Sequence, residues 1–126
     1  MKILILEDSV ERTKVFKNRY KDHDLHIFSN YLIAKDMLMN HSPYDLVSLD
    51  HDLCEDPSNV KQYNNLMYSF NDEYTGYNLV EDICELKDNL RPPQIIIHSW
   101  NTPAAKRMKE KLAECGISSI FERFQV

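Results

Sequence analysis

Leu46-Val47-Ser48-Leu49-Asp50-His51-Asp52-Leu53 is the stretch on which the reading of this chain turns. A short apolar run reads as a buried strand, and it ends in a carboxylate, an imidazole and a second carboxylate before a polar loop begins. Titratable groups at the end of a buried strand cost stability, so their presence points to a use. Two other apolar runs finish in the same way: Ile3-Leu4-Ile5-Leu6 runs into Glu7-Asp8, and Ile95-Ile96-Ile97 runs into His98-Ser99. In an open parallel sheet the carboxyl ends of the strands line one crevice. The three endings are therefore expected to share a pocket.

Around these runs the chain alternates strand and helix. Ser9 is placed to cap a helix reaching about Tyr20, with Val10, Thr13, Phe16 and Tyr20 as its inward stripe. Leu25–Phe28 reads as a second strand. Ser29 or Asn30 caps the next helix, in which Ile33/Met37 and Ala34/Leu38 are four apart, and it stops before Ser42-Pro43. Thr75-Gly76 opens a third helix with Leu79, Ile83, Leu86 and Leu90 on one face and Pro92-Pro93 as its end. Gln94–Ser99 is the fourth strand. Asn101 or Thr102 caps a last helix that carries Met108, Leu112 and Cys115 inward and stops at Gly116. Ser119–Phe124 alternates as an edge strand. Five strands and four helices give a single α/β domain, a doubly wound parallel sheet of the flavodoxin-like order 2-1-3-4-5, with no helix after the last strand. In that order the first, third and fourth strands are neighbours.

The segment Glu55 to Tyr74 breaks the pattern. Its length suits a lid or binding loop better than a bare connector, and its aromatics would serve equally to stack on a base or to staple the loop down.

A chain of 126 residues with 43% hydrophobic content fits one domain with one ordinary core. Its formal charge of −5 argues against a binder of long nucleic acid, which needs a basic face. No apolar run approaches the length of a membrane span, and the first strand begins at once, so neither membrane insertion nor a signal peptide is expected, and the location expected is cytoplasmic. Three cysteines lack metal-type spacing; Cys84 and Cys115 read as small core residues and Cys54 as a spectator thiol.

Glu7, Asp8 and Asp50 would put three carboxylates in one crevice, where like charges repel unless protons or a cation offset them. A hard divalent ion, magnesium or manganese, suits such oxygen ligands; the plainer alternative is one helix-capping acid and two solvated ones. His51 and His98 stand at the ends of strands about 4.8 Å apart. They are expected to divide acid and base work on a phosphoester, with Asp52 orienting either ring; the plainer alternative is a hydrogen-bonded core residue at His98 and a surface one at His51. Ser99 and Asn101, ahead of a helix start, would receive phosphate oxygens.

At these residues the sequence resembles the receiver domains of two-component signalling: the acidic pair Glu7-Asp8, Asp50 closing the third strand and Ser99 closing the fourth match that layout. The resemblance implies magnesium held by the acids and a phosphoryl group accepted at Asp50. Receivers also carry a lysine after the fifth strand, and Phe121-Glu122-Arg123-Phe124-Gln125 has none. The chain is more closely similar to the cyclic-phosphate processing receiver domains, in Leu49-Asp50-His51-Asp52-Leu53, in Thr75-Gly76 and in His98-Ser99 with Asn101. That similarity implies metal-dependent binding or hydrolysis of a small cyclic phosphate, on a nucleotide for preference, with Thr75 beside Ser99 and Asn101 among the substrate contacts. A phosphoacceptor or partner-binding receiver and a non-hydrolysing cyclic-nucleotide module are the alternatives, and a homodimer stays open.

Overall fold

The structure is a computed structural model that describes residues 1–51, 74–99 and 101–122. Asp52, Leu53, Cys54, Arg123, Phe124 and the segment from Glu55 up to residue 73 lie outside the described residues. In chain order the elements are β1 (Lys2–Leu6), α1 (Val10–Arg19), β2 (Asp24–Phe28), α2 (Tyr31–His41), β3 (Leu46–Leu49), α3 (Gly76–Glu85), a 3-10 turn (Asp88–Leu90), β4 (Gln94–Ile97), α4 (Thr102–Glu114) and β5 (Ile120–Phe121). The five strands form one parallel sheet in the order 2-1-3-4-5, as expected.

Alternation along the strands splits the core in two. Leu4, Leu6, Val47, Leu49, Ile95 and Ile97 pack with residues of α2, α3 and α4, while Ile3, Ile5 and Leu46 pack with Phe16 of α1. A two-residue period sends neighbouring side chains to opposite faces, so each strand feeds both layers.

The helix starts carry their caps. The side chains of Ser9, Asn30, Thr75 and Asn101 each accept a backbone N–H of the first turn, and Thr75 with Asn78 completes a reciprocal capping box. Two helix details differ from expectation. In α1, Val10 is exposed and Arg12 is buried beside Phe16, so the inward stripe is displaced from the Val10–Thr13 side. A charged side chain turns inward there because, as described below, it has charged partners.

Helix α3 ends at Glu85 instead of running to Leu90. Leu86 is already extended, and the Arg91 guanidinium donates to the carbonyls of Cys84 at 2.8 Å, Leu86 at 3.1 Å and Cys115 at 3.2 Å. Those bonds satisfy carbonyls that a helix end leaves orphaned, which makes an early stop affordable. The same corner joins Cys84 to Cys115 in a disulfide, so the two thiols read as core residues are a covalent tie between α3 and the end of α4.

Candidate metal centre at the sheet's carboxyl edge

The crevice is built from backbone first. Beyond the ends of the strands the ladder continues for one residue: the Glu7 amide donates to Phe28 O at 3.0 Å, the Asp50 amide to Leu6 O at 3.1 Å and the His98 amide to Leu49 O at 2.9 Å. Each residue that follows a strand is thereby held in register with its neighbours. Helix α3 then closes in from the side, its first residue donating from the Gly76 amide to His51 O at 3.1 Å. Only a residue without a side chain fits there, since a Cβ on Gly76 would lie 2.0 Å from the Asp50 carbonyl oxygen.

This frame brings Glu7, Asp8 and Asp50 together, with one carboxylate oxygen of each lying within 4.8 Å of the others. They are 1%, 1% and 2% exposed. Three buried carboxylates so close call for protons or for positive charge beside them. Among the described residues such a charge is supplied by Arg12, third residue of the first turn of α1. Its Nε donates to Glu7 Oε1 at 3.0 Å, and its Nη2 donates to Glu7 Oε2 at 3.2 Å and to Asp50 Oδ2 at 3.3 Å.

The second partner of Glu7 is His98. Its Nε2 lies 3.0 Å from Glu7 Oε1, its Nδ1 lies 2.6 Å from the Ser48 hydroxyl, and its ring packs edge-on to Phe16 at 4.9 Å between centroids. An ionised Glu7 only accepts, so Nε2 carries a proton toward it. Burial by itself would push the Glu7 carboxyl up, but the hydrogen bond and charge of His98, the Ser9 amide and Arg12 outweigh it and hold Glu7 below the ordinary value. Glu7 is thus anionic at neutral pH.

The expected site residues accordingly separate. Glu7, Asp8 and Asp50 converge. His98 reaches the same cluster as a ring 1% exposed with both nitrogens engaged, Nδ1 with Ser48 and Nε2 with Glu7. Strand alternation is the cause: Ser48 and His98 share the α1 face, where the Phe16 ring packs against His98. His51 is half-buried and binds the start of α3 through its carbonyl. Asp52 lies outside the described residues. Ser99, fully buried, accepts the Asn101 amide at 3.0 Å, and Asn101 in turn caps α4 through the Ala104 amide at 3.1 Å. Thr75 accepts the Tyr77 amide at 3.2 Å as the cap of α3.

Two residues were overlooked by sequence reasoning, Arg12 and Ser48. Each left a trace. A cation in the first turn of a helix opposes the positive end of its dipole and calls for a nearby anion, and a hydroxyl inside the apolar run Leu46–Leu49 calls for a buried partner.

The donor set fits a hard divalent cation: carboxylate oxygens alone, from three side chains on two neighbouring strand ends. Among the described residues, no helix is long and apolar enough to cross a membrane.

The sequence matches the family described as Cyclic-phosphate processing Receiver domain over residues 2–114. Among solved structures, the receiver domain of a sensor histidine kinase from Pseudomonas aeruginosa, described with a magnesium ion coordinated in its active site cleft, aligns with a TM-score of 0.62 and 17% identity over 98% of this chain and 85% of that one. A yeast Spc42 trimeric coiled-coil segment fused to another structure aligns with a TM-score of 0.61 and 18% identity, over 98% of this chain and 70% of that one. At these identities the likeness concerns the fold. No curated protein matches the sequence.

Proposed function

Since the chain belongs to the cyclic-phosphate processing receiver domains, we propose that it is a metal-dependent phosphoesterase acting on a small cyclic phosphate, a cyclic nucleotide for preference. The observation that carries this reading is the meeting of Glu7, Asp8 and Asp50 within 4.8 Å at the carboxyl edge of the sheet. These three would hold magnesium or manganese. Such an ion supplies charge for phosphate oxygens and lowers the pKa of water.

The chain's own groups divide the remaining work. His51, half-buried next to Asp50, is the candidate for proton transfer, with Asp52 to orient it. His98 is a positioning residue: gripped by Ser48, it holds one oxygen of Glu7 in place. The Ser99 oxygen accepts the Asn101 amide and the Thr75 oxygen accepts the Tyr77 amide as the cap of α3, which would leave each hydroxyl proton to be donated to a phosphate oxygen. The amides at the start of α4, reached through Asn101, suit the same anion. The proposed location is the cytoplasm.

The test is turnover of a panel of cyclic phosphates with magnesium and with manganese. His51→Ala should lower the rate about 10²-fold or more, the range of a lost acid or base, while metal binding persists; full activity removes His51 from the mechanism. One observation favours a second reading, a phosphoacceptor receiver: Asp50 follows directly on β3, one ladder step past Leu49, beside the acidic pair. Stable labelling of Asp50 by acetyl phosphate without turnover of the panel would replace the first reading with the second. Affinity for a cyclic nucleotide with no product would mark a binding module.

A further inference from the structure

We propose that Arg12 is the resident counter-ion of the crevice and that a divalent cation binds by displacing it, one guanidinium exchanged for one ion. The proposal rests on the metal-site reading above and concerns how that site is held in waiting. The argument is a count of acceptor positions on Glu7. A carboxylate offers about four lone-pair sites, and Glu7 has all four engaged: Oε1 takes Arg12 Nε at 3.0 Å and His98 Nε2 at 3.0 Å, while Oε2 takes Arg12 Nη2 at 3.2 Å and the Ser9 amide at 2.9 Å. Glu7 can bind an ion only after releasing a donor.

Which donor leaves follows from how each is anchored. The Ser9 amide belongs to the N-cap of α1, whose hydroxyl also accepts from the Arg12 amide. His98 is fixed by Ser48 on one nitrogen and by the Phe16 ring on its side. Arg12 is attached to the cluster through a long side chain, and it alone of the three is always cationic. It also bridges to Asp50 Oδ2 at 3.3 Å, so its withdrawal uncovers two expected ligands at once. An incoming cation is repelled by the guanidinium and attracted by what the guanidinium covers, so the two compete for the same oxygens.

The experiment uses the full chain, with magnesium chloride as titrant and no substrate. Competition predicts that Arg12→Gln binds magnesium about tenfold to a hundredfold more tightly than the unaltered protein, the factor that hydrogen bonds to charged groups command. In the unaltered protein the Arg12 Nε–H resonance, followed by ¹H–¹⁵N NMR, should be protected from solvent exchange without metal and lose that protection as magnesium saturates. Arg12→Lys, which keeps the charge and loses the two-pronged grip, should bind magnesium with intermediate affinity and serves if Arg12→Gln does not fold. Binding by Arg12→Gln when the unaltered protein shows none supports the exchange in its strongest form. Saturation of the unaltered protein with the Arg12 resonance still protected overturns it, as does equal or weaker binding by Arg12→Gln, and both leave the metal-dependent reading standing. Absence of binding in every protein overturns the exchange and the metal centre together.

Discussion

Gly76→Ala is the smallest change that tests the frame of the crevice. The added Cβ would lie 2.0 Å from Asp50 O and 2.9 Å from Asp50 C, where a carbon and a carbonyl oxygen ordinarily approach to about 3.3 Å. The obstacle is backbone, so no rotamer change relieves it. Helix α3 must retreat from the end of β3 by about an ångström, straining the Gly76 amide bond to His51 O and loosening Leu79 and Ile83, both fully buried. Overpacking of this kind costs about 1–3 kcal/mol, and the alanine's better helix propensity returns less than about 1 kcal/mol. A net loss of about 2 kcal/mol should lower Tm by about 5–10 °C in a domain of this size. Calorimetry without metal reads that loss. Magnesium titration reads a second effect, weaker binding, because the residue pushed is Asp50. Gly116→Ala is the control: its φ of +79 makes an alanine there cost about 1–2 kcal/mol, yet nothing lies within 4 Å of the new Cβ. It should lower Tm and leave metal affinity alone. A Gly76→Ala protein as stable as the parent, with unchanged magnesium affinity, would refute the close approach of α3 to the acidic strand end.

Glu7→Gln should destabilise by about 3 kcal/mol at pH 7, since it leaves Arg12 with a buried charge half answered. Because the folded Glu7 lies below its ordinary value of 4.5, its stabilisation is present above that pH and fades as the pH falls through the folded value. Urea titrations from pH 7 downward should therefore show the gap between the two proteins closing below about 4.5; a constant gap would count against an ionised, paired Glu7. Asp82 has the opposite sign. Burial raises it above 3.8 despite the Tyr31 hydroxyl at 2.5 Å and Lys35 at 3.7 Å, so its contribution declines as pH rises through the folded value. Asp82→Asn should raise Tm at pH 7, with the gain gone below pH 3.8, and a lower Tm at pH 7 would contradict the dominance of burial. Cys84 and Cys115 are 31 residues apart. In the oxidised protein, reduction or Cys84→Ser should cost about 3–4 kcal/mol by loss of loop closure, visible as a lower urea midpoint that reductant leaves unmoved in the variant.

The order of strands, the helix starts at Ser9 and Thr75 and, each as one of two candidates, at Asn30 and Asn101, and the grouping of Glu7, Asp8 and Asp50 were legible in one dimension because each rests on a local rule. Apolar runs of strand length bounded by capping residues specify elements, and parallel topology sends the ends of β1 and β3 to one edge. The end of α3 differs from expectation where the Arg91 guanidinium takes up the carbonyls of Cys84 and Cys115, a convergence of groups that only the fold brings together. Pairing of Cys84 with Cys115 was hidden for the same reason.

What the amino-acid order determined alone is which chemical groups follow the three strands: the acids Glu7, Asp8, Asp50 and Asp52, the imidazoles His51 and His98, and the Ser99 hydroxyl. What tertiary structure decided is how they are shared out. The alternation of β3 and β4 places Ser48 and His98 on the α1 face, with His98 against Phe16, and α1 turns Arg12 inward to answer Glu7 and Asp50. Proximity along the chain fixes none of this, because a buried charge is settled by the opposite charges the fold brings beside it, and in this protein one such partner is Arg12, from a helix whose expected inward stripe, Val10, Thr13, Phe16 and Tyr20, did not include it.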